Sequence, residues 1–538
     1  MGLEFQSFDP KEVLNLTKQF IIGYQKAAIK KRGVKPYISA YSCNFNNMEL
    51  TVSNFVKQNY SPERGFNLLM TVHYPGGSPA YENTNYFDKY QVHRILHEAE
   101  LMAWNNYNKY HSDSRELRSK EILTSFFIKD HIRLNDLNIR PFIRNDEEAI
   151  FEFLYEANKI MRKKGIVDIA ANAIIQSGNE IFCNTEKTEI IQEYSRLLNE
   201  FVVSARADDL ENRTLEMRER VGAFGGRELI SGLKDESFKK AEYISEKALE
   251  FSKAKPSCNG FELTAGTYDA ILDGKVAAVS IHEVGAGHSA EALSLIEEDR
   301  EMASPFKGKL GKKVAIENLN IIDHAMLEIK GRKPYSWYVY DAEGVKARKT
   351  FLVKNGIFSS YLHSRLTAGT LSKEEGGGKL TGNARMEVEE SNIPEPRMSS
   401  LFLMPNKKGP SLDDMLYSIR GKGIYIAGMS FGQVNVSDAQ GKVGFGEIYY
   451  INKKGNKIPL RMRGHNIHIT DDVVGYMGRI SGIGNESTVV IDDGWCGSDS
   501  GTIPHTASGA AIKVNQIHLT PEKTKPPVKR PLTRPPKL

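Results

Sequence analysis

No run of about 18 apolar residues occurs in this 538-residue chain, so nothing in it reads as a membrane-spanning helix. Cysteine is scarce. The four present (Cys43, Cys183, Cys258 and Cys496) are scattered without a framework spacing, which excludes a disulfide-stapled scaffold. The opening stretch, MGLEFQSFDPKEV, lacks the basic and apolar regions of a secretory signal. Gln6 also stands where N-myristoylation requires Ser or Thr. A cytoplasmic location is therefore expected. An excess of charge is likewise missing from the body of the chain. The formal net charge of +5 comes from residues 521–538, PEKTKPPVKRPLTRPPKL, which hold six basic residues and one acidic. The other 520 residues balance at 66 basic and 66 acidic, which argues against a nucleic-acid-binding face and leaves no nucleic acid or membrane among the expected partners. Six of the 21 prolines sit in that tail, so it is expected to be extended and disordered. No repeat of fixed period is present.

What the chain does contain is ordinary for a globular protein: 40% apolar and 26% charged residues. Glycine is unevenly used, 12 in residues 1–250 and 33 in residues 251–538, so the second half is expected to be richer in turns and strands. In the first half, LLMTVHY (68–74) reads as a strand, and DKYQVHRILHEAELMAWNNY as a helix. EEAIFEFLYEANKIMRKKG has acids in its first turn and bases in its last, with Gly165 as terminator. IVDIAANAIIQ, NEIFCN, TEIIQEY and NEFVVSAR predict four strands of an antiparallel meander. A further helix runs through ESFKKAEYISEKALEFSKA, with Asp235 as its expected N-cap. In the second half, KTFLVKNGIFSSYL predicts a hairpin turning at Asn355-Gly356. The fold class is α+β. An N-terminal domain of helices and an antiparallel sheet is expected over 1–255, with a subdivision near residue 140. A β-rich domain is expected over 256–520, with a motif helix at the junction, followed by the tail at 521–538.

That helix carries SIHEVGAGHSAEALSLIEED, residues 280–299. A metal that activates water needs about three protein ligands, an open position and a base to take the proton. His282 and His288 offer two ligands, and Glu283 stands beside the first as the candidate base. Cys496, in the Gly- and Asp-rich stretch IDDGWCGSDSG, is the best third ligand, because cysteine with two imidazoles is a sound zinc set. His93 and His97 also lie at i,i+4, but within an ordinary amphipathic helix; His465 and His468 fall in a strand.

From ELTAGTYDAILDGKVAAVSIHEVGAGHSAEA onward the sequence resembles the TldD/PmbA family, in its metallopeptidase (TldD-like) branch. YDAEGVKARKTFLVKNGIFSSYLHSR, GNARMEVEESNIPEPRMSSLFLMP and DDGWCGSDSGTIPHTASGAAIKV continue the likeness in order. The resemblance implies a zinc-dependent peptidase or amidase, with zinc on His282, His288 and Cys496 and with Glu283 as base. It also implies a dimer with a like or related (TldE/PmbA-like) subunit, and a peptide or peptide-like substrate bound in extended form. A catalytically silent partner subunit is the alternative role.

One departure bears on both roles. The family spaces its histidines i,i+5, whereas His282 and His288 are i,i+6. On a regular helix these side chains lie about 120° apart, so both can face one metal only if the helix is bulged or unwound. Gly285 and Gly287 offer the place. In the rival register, counted back from His288, Glu283 becomes a ligand and Val284 takes the base position.

Overall fold

The computed structural model describes residues 9–59, 63–75, 77–112, 128–143, 145–207, 214–258, 260–296, 304–387, 393–435, 440–461 and 465–523. The first half is built on an eight-stranded, mainly antiparallel sheet. Its spine is three long strands, Tyr37–Ser53, Ile166–Asn184 and Glu189–Arg206, paired in that order. The four strands predicted between residues 166 and 206 are thus two. The Ser177-Gly178-Asn179 run, which invites a turn, stays in the ladder opposite Asn44–Asn46. Gly178 serves close approach rather than turning, for a Cβ there would meet the carbonyl oxygen of Asn44 at 1.9 Å. The strand Tyr37–Ser53, masked in the sequence by its own asparagines, was not anticipated.

Helices Pro10–Arg32 and Lys89–Ser112 cover one end of this sheet, burying Val13, Ile21, Ile95 and Leu96 against Ile38, Met70 and Ile181. Helices Asp146–Met161 and Lys234–Ser252 cover the other end. Asp235 lies in the first turn of the latter rather than at its N-cap, a position held by Leu233 without a side-chain bond. Asp235 and Glu236 act there through the helix dipole. Ile244, Ala248 and Phe251 of this helix share a core with Ile271, Tyr425, Tyr449 and Ile451 from the second half.

That second half consists of two sheets around the motif helix. Strands Gly266–Leu272, Ile424–Asn435, Gln440–Ile451, His465–Asp472 and Ile512–Lys523 pair in sequence, and the last pairs back to the first, closing a ring. The second sheet runs from the Asn355-Gly356 hairpin through Ile321–Asp323 and Ser400–Leu403 to Gly501–Gly509 and Val490–Ser498. Asn355 (φ 51°) and Gly356 (φ 76°) are both left-handed, as a type I′ turn requires. Strand pairing continues to Lys523, opposite His465; the rest of the basic tail lies outside the described residues. Among the described residues no helix is long and apolar enough to cross a membrane.

Two glycines in the first half should respond oppositely to alanine. Gly178→Ala forces the Asn44 carbonyl aside and should lower unfolding free energy by about 1–3 kcal/mol. Gly23, inside the helix Pro10–Arg32 with nothing within 4 Å of its would-be Cβ, should gain about 0.5–1 kcal/mol on the same change. Denaturant titration of both variants checks the pair; a stable Gly178→Ala protein would contradict the close approach.

Candidate metal centre

Asp273 begins the motif helix by accepting the backbone N–H of Val276 at 2.7 Å, which places the helix at Gly274–Glu283. All ten of its residues are buried. Its apolar positions Val276, Ala277, Ala278 and Ile281 pack in one core with Ile426 and Val443 of the closed ring and with Leu403 and Ala507 of the second sheet. Gly274 lets it approach the second sheet, where a Cβ would meet the Gly509 carbonyl at 2.3 Å.

The helix stops where the extra residue stands. Val284 closes it, Gly285 adopts φ −115° and ψ −141°, and one further turn spans Ala286–Ser289. The break reverses the roughly 120° divergence: the His282 and His288 rings meet edge to face, with centroids 4.6 Å apart. Gly287 makes the fold-back possible, since a Cβ there would strike the His282 carbonyl at 2.3 Å. Strand Val490–Ser498 brings Cys496 to the same point. The ligating atoms of His282, His288 and Cys496 lie within 4.8 Å of one another. His93 and His97 are elsewhere. His97 Nδ1 shares a hydrogen bond with the Tyr24 hydroxyl at 2.6 Å, and the His93 and His97 rings stack on each other. His465 and His468 sit on a ring strand and take no part.

Each donor is oriented by a partner on its far side. His282 Nδ1 is 3.1 Å from His505 Nε2, and His288 Nδ1 is 2.9 Å from Glu291 Oε2, which leaves both Nε2 atoms facing the centre. His505 is held well below the ordinary histidine range, first by burial and then by the neighbouring His282 and Arg385. It is therefore neutral and can accept the His282 N–H. Arg397, 1% exposed, donates to the Cys496 carbonyl at 2.7 Å and to its Sγ at 3.2 Å. Burial alone would raise the Cys496 thiol, but His288 and His282 outweigh it and hold the thiol well below its usual range, as a thiolate. Burial likewise opposes charge on His288, and Cys496 and Glu291 outweigh it, raising that imidazole well above its ordinary value.

The donor set fits a tetrahedral zinc. Bonds of about 2.0–2.1 Å to nitrogen and 2.3 Å to sulfur place adjacent donors about 3.3–3.6 Å apart. Cys496 Sγ and His288 Nε2 stand 3.4 Å apart. The Glu283 carboxylate is farther, 3.7 Å from His282 Nε2 and 4.0 Å from His288 Nε2. It occupies the space over Gly432, where any Cβ would meet its Oε1 at 2.6 Å. Three residues of this centre were missed in the sequence. Glu291 had a signal, one helical turn after His288. His505 and Arg397 had none: the first depends on the pairing of strand Gly501–Gly509 with Val490–Ser498, the second on a contact across about 100 residues.

Residues 265–520 match the family model of the PmbA/TldA metallopeptidase C-terminal domain. A metalloprotease of Methanocaldococcus jannaschii is 28% identical over 80% of this chain and 86% of its own length. A protein of Saccharolobus solfataricus named a zinc metalloprotease TldD homolog is 26% identical over 47% of this chain and 52% of its own. In fold, TldE from Thermococcus kodakarensis superposes with a TM-score of 0.65 over 94% of this chain and 99% of that one, at 14% identity. The motif helix and the closed ring beside it both lie within residues 265–520, the part of this chain that is similar to the C-terminal domain of the TldD/PmbA family.

Proposed function

We propose that the chain is a zinc-dependent peptidase or amidase in which His282, His288 and Cys496 hold the metal and Glu283 is the general base. The observation that carries this reading is the convergence of two imidazole Nε2 atoms and one thiolate at a single buried point, with a carboxylate just beyond bonding distance. Bound zinc would supply Lewis acidity to water and to the scissile carbonyl. Glu283 accepts the proton from the attacking water at one of its carboxylate oxygens and can return it to the leaving nitrogen. Gly432 keeps the approach to that carboxylate free of side chains. His505 and Glu291 fix the histidine tautomers, and Arg397 draws charge from the thiolate, so the donors keep one orientation through the reaction.

Glu283 is better read as base than as ligand, because the three-donor set forms without it. That favours the intact register over the rival one. The same completeness weighs against the alternative of a silent subunit. The likeness of residues 265–520 to this family, and of the fold to a TldE, supports the rest of the proposal: pairing with a like or TldE-like subunit, and a short or unfolded peptide, or a peptide-like natural product, bound in extended form.

Elemental analysis of purified variants tests the ligands. His282→Ala, His288→Ala and Cys496→Ala should each abolish stoichiometric zinc, while His93→Ala and His97→Ala should retain it. Full zinc in Cys496→Ala would remove the third ligand.

Catalysis is tested separately from binding. Glu283→Gln should keep its zinc and lose about 10²–10⁴-fold in turnover of peptides followed by mass spectrometry. Gly432→Ala, which displaces the carboxylate, should act in the same direction with zinc retained. Zinc loss in Glu283→Gln would restore the rival register.

A further inference from the structure

A cavity of about 490 Å³ lies between the first sheet and the second half of the chain. Tyr41, Glu180 and Arg196 line it from the first sheet, and Arg385, Trp495 and Ile503 from the other side. Ile503 is the cross-strand partner of Cys496, so this wall belongs to the same hairpin as the metal centre.

Arg196 is the group that calls for a ligand. Its side chain is 6% exposed, yet no hydrogen bond or ion pair reaches it among the described residues, and its Nε is buried without a partner. The guanidinium instead lies near two aromatic rings, 5.2 Å from the Tyr194 centroid and 5.8 Å from that of Tyr335. Such contacts satisfy the faces of a guanidinium and leave its N–H edge unmet. Burying a charged donor without an acceptor is costly, so an acceptor is to be expected from outside the chain.

The other charges around the cavity do not serve. Arg385 spends both terminal nitrogens on the main-chain carbonyls of Met398 and Pro504, at 2.6 and 2.7 Å. Half-buried Glu180 accepts from Gln192 and forms no ion pair with Arg196 among the described residues, buried Asp341 accepts the backbone N–H groups of Glu343, Val345 and Ala384, and Glu387 accepts that of Thr502. Burial also raises Glu180 toward its neutral form, against the opposing charge of Arg196. Glu49 and Glu63 lie at the exposed side, where water screens them. The deep Arg196 guanidinium is thus forked and without a hydrogen-bonded acceptor among the described residues, and that geometry matches a planar carboxylate.

We propose that this cavity is a carboxylate site, in which Arg196 receives the free C-terminal carboxylate of a short peptide. The choice of a peptide rests on the proposed peptidase function; the recognition of a carboxylate does not. The apolar surfaces of Trp495 and Ile503 then face the residues preceding that terminus.

Isothermal titration of the full-length Glu283→Gln chain, which suppresses turnover, tests the site with acetyl-Ala-Ala-Phe in its free-acid and C-terminal amide forms. The acid should bind at least about tenfold more tightly than the amide. Arg196→Gln should reduce that preference to less than about twofold, with circular dichroism confirming the fold. Should that variant not fold, Arg196→Lys retains the buried charge without the forked N–H pair, and the preference should fall there too. Equal binding of acid and amide, binding of neither, or an undiminished preference in the Arg196 variants would overturn the proposal. Acetate binding as tightly as the tripeptide acid would reassign the site to small free carboxylates and end the peptide assignment. These ratios do not depend on whether the chain hydrolyses anything, so failure here and failure of the peptidase reading are separable.

Discussion

A ten-residue helix buried on every side must fit between a closed ring of strands and a second sheet, and the rest of the second half is arranged around that fit. The helix has no solvent face, so each approach is made by removing side chains. Gly274 meets the Gly509 carbonyl, Gly441 meets Val284, and Gly432 leaves room for Glu283. Alanines at 277 and 278 fill what remains. Packing at this density tolerates little adjustment, which converts the positions of Gly274–Glu283 into fixed positions for His282 and Glu283. The first-half sheet takes part through the core it shares with the ring strands at Tyr425 and Tyr449.

What could be read from the sequence was local chemistry and local periodicity. The helix over 146–161, the I′ turn at Asn355-Gly356 and the donor types of the centre all announce themselves within a few residues. The long strands did not, because the residues that permit close backbone approach, Gly178 above all, are the ones that elsewhere make turns. Asp235 misled for a related reason. An acid near a helix start suits either the N-cap or the first turn, and the choice is made by the short helix Glu228–Gly232 that leads directly into Leu233. His505 and Arg397 lay beyond sequence reasoning, because their roles exist only once Val490–Gly509 has paired as a hairpin and segments about 100 residues apart have met.

The i,i+6 spacing shows how little of the centre depends on helical regularity. A continuous helix would set the two imidazoles at fixed angles, whether the interval were five residues or six. Ending the helix at Glu283 and restarting it at Ala286 removes that dependence, and the interval need only be long enough to fold back. The orientation of each ring is then fixed from outside, by His505 and Glu291, rather than by the helix. An insertion between the histidines is tolerable for this reason, while a Cβ at Gly287 is not.

The same partners set the charges of Cys496 and His288. Cys496 is a thiolate because His288 and His282 stabilise it, and His288 holds its proton because Cys496 and Glu291 face it. Cys496 Sγ and His288 Nε2 stand 3.4 Å apart, a separation that suits two donors of one tetrahedral ion. A divalent ion would be held by the same two atoms, with the Nδ1 side of His288 bonded to Glu291. Arg397, bonded to both the Sγ and the carbonyl of Cys496, holds the strand Val490–Ser498 at this point independently of the histidines.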